Sequence, residues 1–243
     1  MSSKQFLDRV RAALGHQPGH RPAPPPGFAV SARREDIDTR AQAVRETMRR
    51  DAATLLDQLA GTAAQGGWKV FRAPDDNAAA SYILSVTRDL EPRPVGVVRS
   101  AHDALERLNL EAGLKPAGVT VQLIAGGLGL DAAALRQKVI DAGVGVTGAD
   151  YAIAETGSCV LIPRAGVSRI VSLVPPVHIA VVEKGSVLPT PDDLFALRRR
   201  DFHDGNLGSH MNIISGPSRS ADIEYTLITG VHGPGEVHMV LLG

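Results

Sequence analysis

Apolar and polar positions alternate along the chain in a way that changes character twice. Phe6, Leu7, Val10 and Leu14 fall on one helical face with Gly15 behind them, so residues 3–14 are predicted as a short amphipathic helix. At that length it is too short to stand alone and should dock. His16 to Val30 carries Pro18, Pro22, Pro24, Pro25 and Pro26, which excludes regular structure and predicts an extended strap. The expected division is therefore an arm and strap over 1–30 and an α/β domain over 31–243.

Residues 36–64 place Ala43, Val44, Met48, Leu55, Leu56 and Leu59 among Arg, Glu and Asp, the pattern of a long surface helix with a possible break, ended by Gly66-Gly67. Short Val- and Ile-rich runs at 68–71, 95–98, 119–124 and 144–147 then alternate with helical patterns at 77–90, 102–108 and 131–142. This alternation predicts an α/β fold with a mostly parallel central sheet flanked by helices. The last hundred residues read as strands at 159–162, 170–174, 179–182, 211–214 and 237–242, with one clear helix among them. That helix has Thr190 as N-cap, Pro191 at its first position, Asp192 and Asp193 in its first turn and three Arg near its end, which suits the helix dipole.

Composition narrows the function. Across 243 residues, 26 Lys plus Arg balance 26 Asp plus Glu, so there is no overall charge with which to attract nucleic acid or an anionic membrane. No stretch approaches the roughly 18 apolar residues of a membrane span, and the first ten residues are charged where a signal peptide is apolar. A cytoplasmic location is expected. The single Cys159 excludes an internal disulfide, a four-thiolate iron–sulfur site and any Cys-x-x-Cys motif.

Candidate chemistry crowds into three segments of the C-terminal half, and sites in open α/β sheets lie at the carboxyl ends of strands. In Glu155-Thr156-Gly157-Ser158 the carboxylate suits a nucleophile, a general base or an anchor for a substrate hydroxyl. A tight turn, with Glu155 capping amides and Gly157 at positive φ, explains the string equally well. In Gly216-Pro217-Ser218-Arg219-Ser220, amides and hydroxyls suit an anion cradle, with Asp222 and Glu224 close behind; the alternative is a helix capped by Ser218 or Ser220.

His232 in Gly230-Val231-His232-Gly233-Pro234-Gly235 is a candidate acid or base, against a hairpin turn with an exposed ring. His178, after Pro175-Pro176, either reaches the same cleft or is a hydrogen-bonded strand residue. His178, His232, Asp222 and Glu224 match no standard metal spacing, so no metal is expected. Gly126-Gly127-Leu128-Gly129 lacks the dinucleotide spacing and is read as a loop.

Taken in order, Ala152-Ile153-Ala154-Glu155-Thr156-Gly157-Ser158, Leu173-x-Pro175-Pro176-x-His178-Ile179, Gly216-Pro217-Ser218-x-Ser220-x-Asp222-Ile223-Glu224 and Gly230-Val231-His232-Gly233-Pro234 resemble the LUD-domain family. The resemblance implies a fold shared with ribose-5-phosphate isomerase, glucosamine-6-phosphate deaminase and CoA transferases. It also implies a part in oxidising L-lactate to pyruvate alongside two partner proteins expected to carry iron–sulfur clusters; with its one cysteine, this chain is expected to bind no cofactor of its own.

On this reading Glu155, His232, Asp222 and Glu224 are candidate catalytic groups. Thr156, Gly157, Ser158, His178, Gly216, Ser218, Ser220 and Gly233 are expected to hold a small anionic metabolite. Whether the chain itself turns over a substrate stays open. So do two alternatives: a free-standing enzyme acting on a phosphosugar, acyl-CoA or folate-like ligand, and a metabolite-sensing module.

Overall fold

The computed structural model describes residues 3–13, 15, 33–90, 96–125, 132–208, 210–221 and 227–243. The strap at 16–30, the Gly-rich loop at 126–130 and the carboxylates Asp222 and Glu224 lie outside them. The chain divides into two compact units, 1–36 and 37–243. The first contains helix α1 (Ser3–Ala13), and the second holds every described strand.

The long helical pattern is two helices, α2 (Arg34–Arg50) and α3 (Ala52–Gly66), interrupted at Asp51. Each buries one stripe: Ile37, Ala41, Val44 and Met48 on the first, and Leu55, Leu56, Leu59 and Ala63 on the second. Gly67, at φ +96, closes α3 by donating its N–H to the Ala64 carbonyl.

Then come β1 (Lys69–Ala73), α4 (Asp76–Arg88), β2 (Gly96–Arg99), α5 (Asp103–Leu108), α6 (Leu110–Leu114), β3 (Val121–Leu123), α7 (Ala132–Ile140) and β4 (Ala142–Gly148). The rest is β5 (Tyr151–Ile153), β6 (Ser158–Leu161), α8 (Ile170–Leu173), β7 (Val177–Glu183), β8 (Val187–Leu188), α9 (Pro191–His203), β9 (Asn212–Ile214), β10 (Arg219–Ala221), β11 (Leu227–Thr229) and β12 (Glu236–Leu242).

Six strands form one parallel sheet in the order β1-β12-β7-β4-β2-β3. Its central strands are apolar on both faces, as a sheet covered on both sides requires. Val177, Ile179 and Val181 of β7 pack with α4, α5 and α6, whereas Ala180 and Val182 pack toward α3 and β6. Each Leu or Ile fully buried this way contributes about 1.5–3 kcal/mol. A second sheet, β8-β5-β6-β9, is antiparallel at β5-β6 and β6-β9, and β10-β11 is a separate hairpin.

Two expectations fail. Residues 170–174, predicted as a strand, form the one-turn helix α8. An apolar run this short cannot distinguish a strand from a buried helical turn. What decides is packing: a Cβ at Gly145 of β4 would collide with the Val171 carbonyl, so α8 occupies the space that a missing side chain leaves. Pro175-Pro176 then ends the helix before β7. Neither Ser218 nor Ser220 caps a helix either: Arg219–Ala221 form β10 and pair with β11, while Asp222 and Glu224 lie outside the described residues.

Candidate functional site

The β5-β6 turn is fixed from below. Thr62 of α3 donates its hydroxyl to the Ala154 carbonyl (2.6 Å), and the N–H groups of Ala154 and Glu155 donate to the Leu188 and Pro189 carbonyls. Gly157 has φ +64, and a Cβ there would lie 2.5 Å from the Ala63 nitrogen. Only glycine allows the turn to seat on α3. This holds Glu155 and Thr156 outward and exposed, while Ser158 is buried. No described residue bonds the Glu155 carboxylate, so it does not cap the turn's amides.

A chain of hydroxyls leads inward. Thr156 Oγ1 lies 2.7 Å from Ser158 Oγ, which lies 2.7 Å from Ser215 Oγ at the end of β9. Ser215 precedes Gly216, whose φ of +121 and contact with the Gly66 carbonyl leave no room for a side chain. Arg219 reaches back to the same carbonyl (3.3 Å). The end of α3 thus positions the whole Ser215-to-Arg219 turn.

Ser218 ties this turn to the His232 loop. Its N–H donates to the Pro234 carbonyl (2.9 Å), its own carbonyl accepts from Gly230 (2.9 Å), and its hydroxyl accepts from the His232 N–H (3.2 Å). The Ser218 amide is therefore spent inside the protein and does not face an anion. Gly233 packs against Ser218 and the Leu173 carbonyl, and the N–H groups of Gly235 and Glu236 donate to the Pro176 carbonyl. The His232 ring is exposed, with no hydrogen bond to any described residue.

His178 lies beneath. It is fully buried, Nε2 sits 2.8 Å from the Thr147 hydroxyl, and Nδ1 has no partner among the described residues. Burial, aided by the nearby charge of His238, pushes its pKa down to about 3, so the ring is neutral at physiological pH. Trp68, with ring centroids 6.1 Å away, has an equally buried Nε1 with no partner among the described residues. A buried polar atom without a partner suits a trapped water.

Hydrogen bonds therefore link Thr156, Ser158 and Ser215 on one side and Ser218, His232 and Pro234 on the other, with Ser215 to Ser218 as the bridge. Ser220 lies on β10 just beyond. Ser215 and Trp68 were not among the candidates; Ser215 adjoins Gly216 in sequence, whereas nothing local marks the only Trp. The cluster sits at the amino ends of β7 and β12, not at the carboxyl ends expected for an open sheet. Hydroxyls on both sides of this cluster, with an exposed imidazole and an exposed carboxylate that no described residue bonds, can bind a small polar molecule and exchange protons with it. Among the described residues no group of three or more His, Cys, Asp or Glu could hold a metal ion, and no helix is long and apolar enough to cross a membrane.

Comparison with known proteins adds the lineage. The family model of the LUD domain matches residues 56–242. The lactate utilization protein C of Exiguobacterium sp. is 44% identical over 113 residues, 45% of this chain and 48% of that protein. The protein of the same name from Bacillus subtilis is 38% identical over 107 residues, 44% of this chain and 45% of that protein. For these relatives the match spans about half of their length or less. The one from Geobacillus kaustophilus is 34% identical over 188 residues, 74% of this chain and 67% of that protein. In fold, the chain resembles a DUF162 family protein from Deinococcus radiodurans, with a TM-score of 0.51 and 19% identity over 79% of this chain and 98% of that one.

Proposed function

Because the chain belongs to the LUD-domain family, we propose that it is a non-redox component of a lactate utilization system, working with iron–sulfur partner proteins as L-lactate is oxidised to pyruvate. The observation that carries this is the 188-residue match to a lactate utilization protein C. Cys159 supports the non-redox assignment: the thiol is buried and pushed up to about 12, and it has no second cysteine with which to form a disulfide. In this reading the rim formed by Thr156, Ser158, Ser218, Gly233 and His232 receives a small anionic metabolite. Glu155 and His232 are the proton-exchanging groups.

Reconstitution tests it. The purified chain is mixed with the two iron–sulfur partners, and lactate-dependent reduction of an acceptor dye is followed. Faster oxidation with the chain present, together with a complex on size exclusion, is expected. No complex and no change in rate would remove the proposal.

A second reading has one observation of its own, the exposed Glu155 carboxylate that no described residue bonds on a turn clamped by Gly157. Such a group suits a nucleophile that attacks the thioester carbonyl of an acyl-CoA, forming a mixed anhydride as the C–S bond breaks and CoA leaves as thiolate. Hydroxylamine trapping after incubation with acyl-CoA separates this from the first reading.

A further inference from the structure

Ligands of open parallel sheets bind outside the carboxyl ends of two neighbouring strands whose outgoing connections leave in opposite directions. Here that pair is β2 and β4: from β2 the chain goes to β3 on one side, and from β4 it proceeds to β7 on the other. None of the groups at this end belongs to the rim of hydroxyls around Ser218.

Immediately past β2, the Ser100 N–H extends the ladder to the Val146 carbonyl, and its fully buried hydroxyl has no partner among the described residues. Ala101 donates its N–H to the Gly166 carbonyl, which holds the 164–167 turn over the strand ends. Gly148, at the end of β4, has no side chain, and the His102 ring fills the place where its Cβ would stand. His102 Nδ1 accepts the Ala104 N–H (3.3 Å), so the proton of the neutral ring is on Nε2.

That N–H faces Asp150 Oδ1 across 4.0 Å, too far for a direct bond. Asp150 is otherwise committed: it accepts the Ile162 N–H (2.6 Å) and Nη1 of Arg164 (2.6 Å). The His102 and Asp150 side chains are 10% and 13% exposed, whereas Arg164 is 46% exposed and reaches solvent.

Nε2 of His102 and Asp150 Oδ1, which keeps a second lone pair beside its bond to Arg164, are about 4 Å apart and can be bridged by one hydroxyl oxygen with two hydrogen bonds of ordinary length. We propose that the carboxyl ends of β2 and β4 form a binding site for a small hydroxylated anion. Its hydroxyl accepts from His102 Nε2 and donates to Asp150, while its carboxylate or phosphate lies on Arg164. The donor and acceptor fix the hydroxyl's orientation, and the exposed guanidinium supplies the charge.

The full chain is titrated calorimetrically with L-lactate and, separately, with glycerol 3-phosphate. His102→Asn keeps an acceptor for the Ala104 N–H but removes the Nε2 donor, and Arg164→Ala changes a half-exposed side chain. Binding of either probe, weakened about tenfold or more in both variants, supports the site, and the probe that binds says whether it takes a hydroxycarboxylate or a phosphate ester. If His102→Asn lowers the melting temperature of the free protein, Arg164→Ala decides alone. Absence of heat with both probes, or binding unchanged by Arg164→Ala, overturns the proposal.

Discussion

Tyr82 on α4 and His238 on β12 are joined by a 2.8 Å hydrogen bond from the phenol to Nδ1, because Nε2 of the same ring donates to Glu236 Oε1 at 2.7 Å. Glu236 also accepts from Lys69 of β1. The network crosses from helix to sheet and sets a neutral tautomer on a ring that is almost entirely buried.

Acid should therefore destabilise the protein earlier than its carboxylates alone would. Burial lowers the pKa of His238, with Glu236 opposing, and takes His178 down to about 3. Both rings bind protons more readily in the unfolded chain, whose imidazoles titrate near 6.5. Their stability contribution is complete above about pH 6.5 and is lost as pH falls, for His178 down to about 3, at up to about 1.4 kcal/mol per pH unit and group. Urea midpoints across this range should fall with acidity, and His178→Gln should flatten the slope. Equal slopes in both proteins would contradict this.

Gly157→Ala and Gly216→Ala should each cost at least about 2 kcal/mol, since each combines left-handed backbone with a Cβ against the backbone of α3. Gly113→Ala, at a helical position where a Cβ meets nothing within 4 Å, should be neutral or slightly stabilising. Melting temperatures of the three variants decide the matter.

The Ser158 and Ser215 hydroxyls should be energetically coupled. Each alanine substitution removes one half of the 2.7 Å pair and leaves the other partly unsatisfied, so each should cost about 1–2 kcal/mol and the double variant less than the sum. Additive losses in a double-mutant cycle would mean that the two hydroxyls do not depend on each other.

Glu155→Gln and His232→Ala touch exposed side chains with no described partner, so stability should move by less than about 0.5 kcal/mol. If the rim exchanges protons with a substrate, the same variants should lower the chain's contribution to lactate oxidation by about a hundredfold. Unchanged activity would leave both residues as surface.

Much of the sheet was legible because strands such as β7 and β12 are buried on both faces and read as apolar runs with a single His in each. The two- and three-residue strands β5, β8, β10 and β11 were not, because a period of two cannot register over so short a run. The α8 turn was misread because its conformation is decided by Gly145, a residue on another strand. Within the candidate site, glycine-flanked hydroxyls announced themselves locally. Ser218's ties to Pro234 and His232 are long-range, and the pairing of His102 with Asp150 depends on two strand ends meeting, which no local spacing encodes.

The strand order also governs when the sheet can exist during synthesis. Ala73 of β1 pairs with Leu242 of β12, and β12 alone joins β1 to the remaining strands. At about 5–20 residues per second, a ribosome that has finished β1 needs on the order of ten seconds or more to deliver its neighbour. Until then β1 has an unpaired edge on each side, the moment at which a chaperone would find the nascent chain most accessible. A stop codon just before Glu236 would accordingly strand β1 and split the molecule's main sheet, although it removes little of the chain.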